Sequence, residues 1–344
     1  MKILIAGFGS IGRRHFRNLR TLGEQDIMFF RSHEGTLPDD EIAPYPVENN
    51  LISALQHKPE AVIISNPTSL HLDVAIPAAE AGCHIFIEKP ISHSMERVDD
   101  FRSAVKSGGG QVLVGFQFRF HPGLQRISRL LDRQTIGRPL SVRAHWGEYL
   151  PSWHPWEDYR LGYSARADLG GGVVLTLCHP LDYLRWLLGE VDSLWSFVGD
   201  AGSLDLTVED SAEIGINFVS GVLGSVHLNF YQHPTKHYLE IVTENGLIRW
   251  DNADGEVQVY KPDGRSVNEG YWEKIPPPRD FKRNELFLAE MKHFLDVTKG
   301  EVDPICTLED GVRALELALA AKKSAQQGIL ITVNPLANLN VDET

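Results

Sequence analysis

Lys2-Ile3-Leu4-Ile5-Ala6-Gly7-Phe8-Gly9-Ser10-Ile11-Gly12 decides the fold. The apolar run from 2 to 6 reads as a short strand, and three glycines follow in the order G-x-G-x-x-G. An amphipathic stretch then runs to Leu22 and stops at Gly23. In such a strand, turn and helix the first glycine permits the tight turn and the second lets the backbone approach a pyrophosphate. The third lets the helix pack on the strand, and the amides of the helix N-terminus face the anion. Glycine turns are common, but one placed between a strand and a helix is a dinucleotide-binding signature. Gly7, Phe8, Gly9, Ser10, Ile11 and Gly12 are therefore the expected cofactor loop.

The residue ending the next strand sets the cofactor. Asp26-Ile27-Met28-Phe29-Phe30 closes on Arg31-Ser32 and not on an acid. A carboxylate there would accept from the ribose 2'-hydroxyl of NAD, whereas an arginine with a small hydroxyl suits the 2'-phosphate of NADP. Arg31 and Ser32 thus favour NADP over NAD. Ala61-Val62-Ile63-Ile64-Ser65 has the β-branched, apolar character of a strand buried on both faces, and it empties into Asn66-Pro67-Thr68-Ser69-Leu70-His71. His84–Ile87 ends in Glu88-Lys89-Pro90, and Gln111–Gly115 ends in Phe116-Gln117-Phe118-Arg119-Phe120-His121-Pro122. Strands alternating with helical stretches predict a doubly wound parallel sheet of the Rossmann kind, its ligand outside the carboxyl ends of the strands. Asn66, Pro67, His71, Glu88, Lys89 and Gln117 fall on that edge as expected cofactor contacts, Lys89 and Gln117 also as substrate contacts. Pro90 disfavours helix at Lys89 and holds it extended, aimed over the edge. A lysine in a surface turn is the plainer alternative.

After Pro122 the pattern changes. A helix over Gln125–Leu131 and a strand over Leu140–Trp146 lead into an aromatic segment, Tyr149 to Tyr163, which contains Trp153, Trp156, Tyr159 and Arg160. Irregular segments of this length are uncommon unless they serve a function. A helix-forming run, Gly170-Gly171-Gly172-Val173-Val174-Leu175-Thr176-Leu177-Cys178-His179-Pro180-Leu181-Asp182-Tyr183, puts Thr176 and His179 three apart on one helix face. Alternation over 193–199, 211–219, 221–231, 236–244, 246–250 and 256–260 predicts an α+β domain with a large, mostly antiparallel open sheet. One face would pack on helices and the other on a further subunit. Helical periodicity returns over Glu285–Thr298 and Leu308–Gln326, the latter stopped at Gly328. The expected domains are 1–120, binding dinucleotide, and 121–344, binding substrate and oligomerising, with the helix near 308–327 packing back on the first.

Composition narrows the classes. The 344 residues are 42% hydrophobic and 23% charged, ordinary values for a globular chain. Lys plus Arg total 33 against 46 Asp plus Glu, a formal charge of −13 that opposes nucleic-acid binding. Arg13, Arg14, Arg17 and Arg20 are expected on the solvated face of the first helix, Arg13 nearest the phosphate site. No apolar run approaches the roughly 20 residues of a membrane helix, and the first strand ends in glycines and Arg13-Arg14 rather than in a leader. Cys83, Cys178 and Cys306 are too few and too scattered for a disulfide framework or a zinc cluster, which points to a reducing cytoplasm and no metal.

With these residues laid out, the chain resembles the Gfo/Idh/MocA family of NAD(P)-dependent oxidoreductases, which act mainly on sugars, inositols and their derivatives. The likeness rests on Gly7 to Gly12, Asn66-Pro67 with His71, Glu88-Lys89-Pro90, the 115–122 segment, Gly170 to Gly172 with His179 and Asp182, and Thr307-Leu308-Glu309-Asp310-Gly311. It implies a catalytic lysine at Lys89, a catalytic histidine at His179, and dimers or tetramers formed through the open sheet. Family members often carry an Asp about one turn before the histidine. Here Leu175 or Thr176 stands there, and Thr176 can hydrogen-bond a substrate but cannot ionise. His179 is assigned the proton transfer and Lys89 the polarisation of the oxygen, with exchanged roles open. Gln117, Tyr159, Arg160, Tyr163 and Thr176 are the further substrate candidates, the aromatic ones serving equally well as packing. A redox-silent sensor on the same scaffold and an NAD-dependent glycosidase are the rival readings.

Overall fold

The computed structural model describes residues 1–31, 38, 40–200, 202, 204–263 and 269–333. The chain divides into two compact units. The first comprises Met1–Phe120, Ala167–Gly171 and Lys282–Leu315. Its strands are β1 (Ile3–Ala6), β2 (Ile27–Phe30), β3 (Val47–Glu48), β4 (Ala61–Ile64), β5 (His84–Glu88) and β6 (Val112–Gly115), with helices α1 (Ser10–Thr21), α2 (Leu51–Gln56), α3 (His71–Glu80) and α4 (Val98–Gly108). The strands lie in the order β3-β2-β1-β4-β5-β6 and every pair is parallel. Ile3 to Ile5, Val62 to Ile64 and Ile85 to Ile87 are fully buried, as strands covered on both faces must be. The order reverses between β1 and β4, so the chain leaves both strands at the crevice where such sheets bind ligands.

The second unit comprises His121–Arg166, Gly172–Phe281 and Glu316–Thr344. It holds α5 (Pro122–Asp132), α6 (Val173–Thr176), α7 (His179–Leu188) and strands β7 (Pro139–Tyr149), β8 (Val191–Gly199), β9 (Ser211–Phe218), β10 (Leu223–Asn229), β11 (Tyr231–Thr243), β12 (Gly246–Asp251), β13 (Val257–Pro262), β14 (Gly270–Ile275) and β15 (Ile331–Thr332). These form a nine-stranded sheet, β14-β13-β12-β11-β7-β10-β9-β8-β15, antiparallel except where β7 meets β10. One face is a continuous apolar layer: Ile214, Val226, Ala144 and Leu239 sit side by side in register, all buried. The opposite face carries Phe197, Glu213, His227, His145 and Tyr238 in the next row. Two late helices complete the chain, α8 (Asn284–Thr298) and α9 (Leu308–Gln327). α9 is divided at Leu315 between the two units. No helix among the described residues is long and apolar enough to cross a membrane.

Both fold classes expected from sequence are present, with three departures. β14 was not anticipated because its residues are mostly exposed and carry no alternation, and neither were β3 and β15, which have only two residues each. The aromatic segment is not featureless but folds into short 3-10 turns at Leu150–Ser152, Tyr159–Leu161 and Tyr163–Ala165. The run from 173 to 188 is two helices, not one. Pro180 has no N–H to give the preceding turn, so α6 ends at Thr176, Leu177 leaves helical geometry, and α7 starts afresh with the proline in its first turn. Thr176 and His179 therefore do not share a helix face.

Candidate functional site

In the first unit the glycine turn is built for close backbone approach. Gly7 has φ +92°, and a Cβ there would stand 2.6 Å from the Asn66 amide nitrogen; one at Gly12 would stand 2.4 Å from the Gly7 carbonyl oxygen. The Ser65 hydroxyl at the end of β4 lies 3.0 Å from that same oxygen, pinning the turn to the neighbouring strand. Gly9 is open, with nothing within 4 Å of its Cβ direction, and Ser10 begins α1 in solvent. Ile11 is half-buried. The residues present thus fit a dinucleotide's pyrophosphate: cramped behind and open in front.

Phe8 is a buried ring rather than a flexible loop residue, packed edge-on against Phe29 at 5.0 Å and Phe16 at 5.9 Å. Two guanidiniums lie over it, Arg13 at 4.2 Å and Arg31 at 5.6 Å. Arg13, expected on a wet face, is only 6% exposed, donates to the Pro38 carbonyl and lies 3.5 Å from Glu41. Arg17 and Arg20 of the same helix are exposed, as expected, and Arg14 is half-buried. Burial lowers the proton affinity of both arginines, and the Arg13 charge lowers that of Arg31 further. Ser32 lies outside the described residues.

At the ends of β4, β5 and β6 the candidates are tied to one another. The Asn66 side chain donates to the Leu70 carbonyl at 3.1 Å, and Pro67 beside it is half-buried. His71 is buried with Nδ1 2.9 Å from the Pro90 carbonyl and Nε2 3.0 Å from that of Asn66, a strut between the two loops. Burial pushes its pKa down to about 4 against the pull of those acceptors, so the ring is neutral near pH 7. Glu88 is buried and engaged by His15 at 2.7 Å and by the Lys89 backbone N–H at 3.2 Å. Lys89 is half-buried beside this carboxylate. Gln117 is buried at the start of a 3-10 turn. His15 escaped the sequence reading; its one signal was a histidine on the inward face of α1, one turn after Gly12.

In the second unit His179 opens α7 and is 2% exposed, its ring 5.3 Å from that of Trp146. Trp146 stacks in parallel on His237 at 4.3 Å, and the Tyr183 hydroxyl lies 3.3 Å from His237 Nε2. Burial raises the Tyr183 phenol, which stays protonated. Thr176 and Asp182 are buried. Tyr159 donates through its hydroxyl to the Leu204 carbonyl at 2.7 Å in the connection before β9, Arg160 grips its neighbour Asp158 at 2.9 Å, and Tyr163 is half-buried. Glu209 was not foreseen. Gly172, at φ +102°, leaves the space its carboxylate occupies, since a Cβ there would stand 2.3 Å from Oε1. Glu209 Oε2 pairs with Lys322 at 3.1 Å, while Oε1 has no hydrogen-bond partner among the described residues. It comes from the segment before β9, distant in sequence from Gly172.

Comparison with known proteins fixes the class. Residues 1–116 match the oxidoreductase family described as having an NAD-binding Rossmann fold, and residues 124–249 match the Gfo/Idh/MocA C-terminal domain. The chain belongs to the Gfo/Idh/MocA family. It is 26% identical over 347 aligned positions to the myo-inositol 2-dehydrogenase of Thermotoga maritima, covering 95% of this chain and 97% of that one. Among solved structures, a levoglucosan dehydrogenase in complex with NADH and levoglucosan superposes with TM-score 0.82 at 20% identity, over 97% of this chain and 99% of that one. The WlbA dehydrogenase of Bordetella pertussis, in complex with NADH and UDP-GlcNAcA, does so with TM-score 0.78 at 19% identity, over 97% and 99%.

Proposed function

We propose that the protein is an NAD(P)-dependent dehydrogenase or reductase acting at a hydroxyl or keto carbon of a sugar, inositol or sugar derivative, in surface-polysaccharide sugar metabolism. The observation that carries this reading is the glycine turn at the reversal point of the parallel sheet, with Lys89 leaving β5 on the same edge. The names of the relatives, which act on inositols and anhydrosugars, support the substrate class. The backbone of Gly7 to Gly12 would hold the pyrophosphate, and Asn66 and Pro67 would flank it. A nicotinamide cofactor held there would supply the hydride chemistry. Lys89 polarises the substrate oxygen and His179 takes or returns its proton, the exchange of these roles remaining an alternative assignment. Thr176, Gln117, Tyr159, Arg160 and Tyr163 are assigned to substrate recognition. NADP is the favoured cofactor, because Arg13 and Arg31 bring two positive charges to one side of the turn.

The polar and aromatic face of the nine-stranded sheet, where Phe197 is 65% and Leu223 63% exposed, is assigned to a second copy of the chain, giving a dimer or tetramer. Thr176 in the place of an ionisable acid favours one other reading, a redox-silent cofactor-binding sensor.

The test follows absorbance of the reduced nicotinamide while sugars, inositols, sugar acids and nucleotide sugars are offered in both directions. Turnover supports the enzyme; tight NADP binding with no turnover on any of them supports the sensor. Lys89→Ala and His179→Ala should each lower kcat by about 10² to 10⁴ while cofactor binding persists. Unchanged turnover in either variant would contradict its assignment.

A further inference from the structure

The positive corner around Phe8 has a carboxylate built into it. Glu41 stands in the 3-10 turn Asp40–Ile42, which follows β2. That turn is anchored. Ile42 is 2% exposed, its carbonyl accepts the Tyr45 N–H at 2.8 Å, and the Tyr45 ring packs edge-on against Phe16 at 5.2 Å and Phe29 at 5.9 Å. The same two rings hold Phe8, so the turn, the glycine loop and α1 rest on one apolar bed. Glu41 is thereby presented from a fixed base rather than from a loose loop.

Its two oxygens are spent on α1. Oε1 lies 3.5 Å from Arg13 Nη1 and also accepts from Arg17 Nη2, while Oε2 accepts from Arg17 Nε at 2.9 Å. Arg17 is the outer member, its side chain 63% exposed, whereas that of Arg13 is 8% exposed and that of Glu41 34%. The other arm of Arg13 donates to the Pro38 carbonyl, and the flat of its guanidinium lies over Phe8 beside that of Arg31. Glu41 is ionised at neutral pH, because the Arg17 hydrogen bonds and the charges of Arg17 and Arg13 outweigh partial burial and hold its carboxyl below the usual range. Asp40 in the same turn also acts on Arg13.

A carboxylate bound to Arg13 does two things to any further anion there. It repels that anion, and it takes up part of the guanidinium's donor set. NADP differs from NAD only in its 2'-phosphate, and selectivity is the difference between two affinities. A negative charge fixed at this corner therefore acts on the choice of cofactor and not on the binding that both cofactors share.

We propose that Glu41 is a specificity-determining residue: its carboxylate, held beside Arg13 by Arg17, weakens the pull of the Arg13–Arg31 pair on the 2'-phosphate and so narrows the preference for NADP over NAD. The inference rests on the reading that this pair meets the 2'-phosphate. Arg17 stays charged whether or not Glu41 does, so its own attraction cancels when a variant at 41 is compared with wild type.

The experiment titrates the full chain with NADP and with NAD by calorimetry, comparing wild type with Glu41→Gln, Glu41→Asp and Arg31→Ala, each checked for fold by circular dichroism. Glu41→Gln keeps an acceptor oxygen and loses the charge. It should raise the ratio of NADP to NAD affinity by roughly 3- to 20-fold in dilute buffer, and the gain should shrink between about 0.05 and 0.5 M salt. Glu41→Asp, which keeps the charge, should hold the wild-type ratio. A ratio that Glu41→Gln leaves unchanged or lowers overturns the proposal. So does an equal change for both cofactors or a gain insensitive to salt, since a turn merely pinned by Glu41 would behave in that way. Arg31→Ala judges the underlying reading separately: a wild-type ratio in that variant removes the arginine from the phosphate site, whatever Glu41→Gln does.

Discussion

Arg13 and Arg31 share one phenyl ring, an arrangement that leaves two like charges close together in a partly desolvated corner. Glu41, 3.5 Å from Arg13, offsets part of that repulsion, and a phosphate beside the pair would offset more. Charge-assisted bonds to a phosphate contribute about 1.5 to 3 kcal/mol each, so Arg31→Ala and Arg13→Ala should each weaken NADP binding by roughly 10- to 100-fold. Binding of NAD should change little, and fluorescence titration with both cofactors reads the difference. An equal loss for both cofactors would remove the two arginines from cofactor choice. Arg31 was legible in the sequence because the end of the second strand is a fixed place in this kind of sheet. Arg13 was placed near the phosphate site but on a wet face, since helical periodicity reports which face is apolar and is blind to a ring folding back from the preceding loop. Glu209 was hidden for a related reason: what marks it is a missing Cβ at Gly172, a contact between stretches that only the folded chain brings together.

Among elements, α5 and the α6–α7 pair show how local rules act. His121 caps α5, its Nδ1 accepting the Gly123 N–H at 3.0 Å, and burial pushes its pKa down to about 4. A histidine held neutral in the fold but titrating near 6.5 when unfolded binds more protons in the unfolded chain at intermediate pH. Stability is therefore complete above about pH 6.5 and is lost as the pH falls towards 4. His71 behaves alike. Between pH 7 and 5 each should cost about 2 kcal/mol. Urea melts at the two pH values should show this loss, and His121→Asn, which retains a capping acceptor, should lose less than wild type; an identical pH slope would contradict the assignment. The strands of the first sheet other than β3 were readable because burial on both faces leaves a continuous apolar run. The helix break before His179 was equally written in Pro180, but the apolar spacing on either side conceals it.

At the scale of the molecule, the nine-stranded sheet has one face of interlocking apolar rows and one of Phe197, Glu213, His227, His145 and Tyr238. His145 stacks on His227 at 4.7 Å and on Tyr238 at 5.2 Å, so this outer face is organised rather than merely wet. Light scattering should give a mass of at least two chains, and Phe197→Asp combined with Leu223→Asp should return it to one without unfolding. A monomeric wild type would remove the sheet from assembly. Alternation in the sequence announced this two-faced sheet, because one side of each strand is dry. It does not announce the partner of each strand, and the parallel pairing of β7 with β10 had no sequence signal.

That pairing bears on how the protein is made. β7 is an eleven-residue strand whose two neighbours, β10 and β11, are both encoded far downstream. A ribosome that has released β7 must go on to Asn229 before one rim of it is paired and to Thr243 before both are. For that interval the nascent chain displays a long row of bare amides and carbonyls, a template for self-association. Chains cut off before Leu223 should accumulate in the pellet, and the complete chain should gain yield from slower synthesis or from added chaperone.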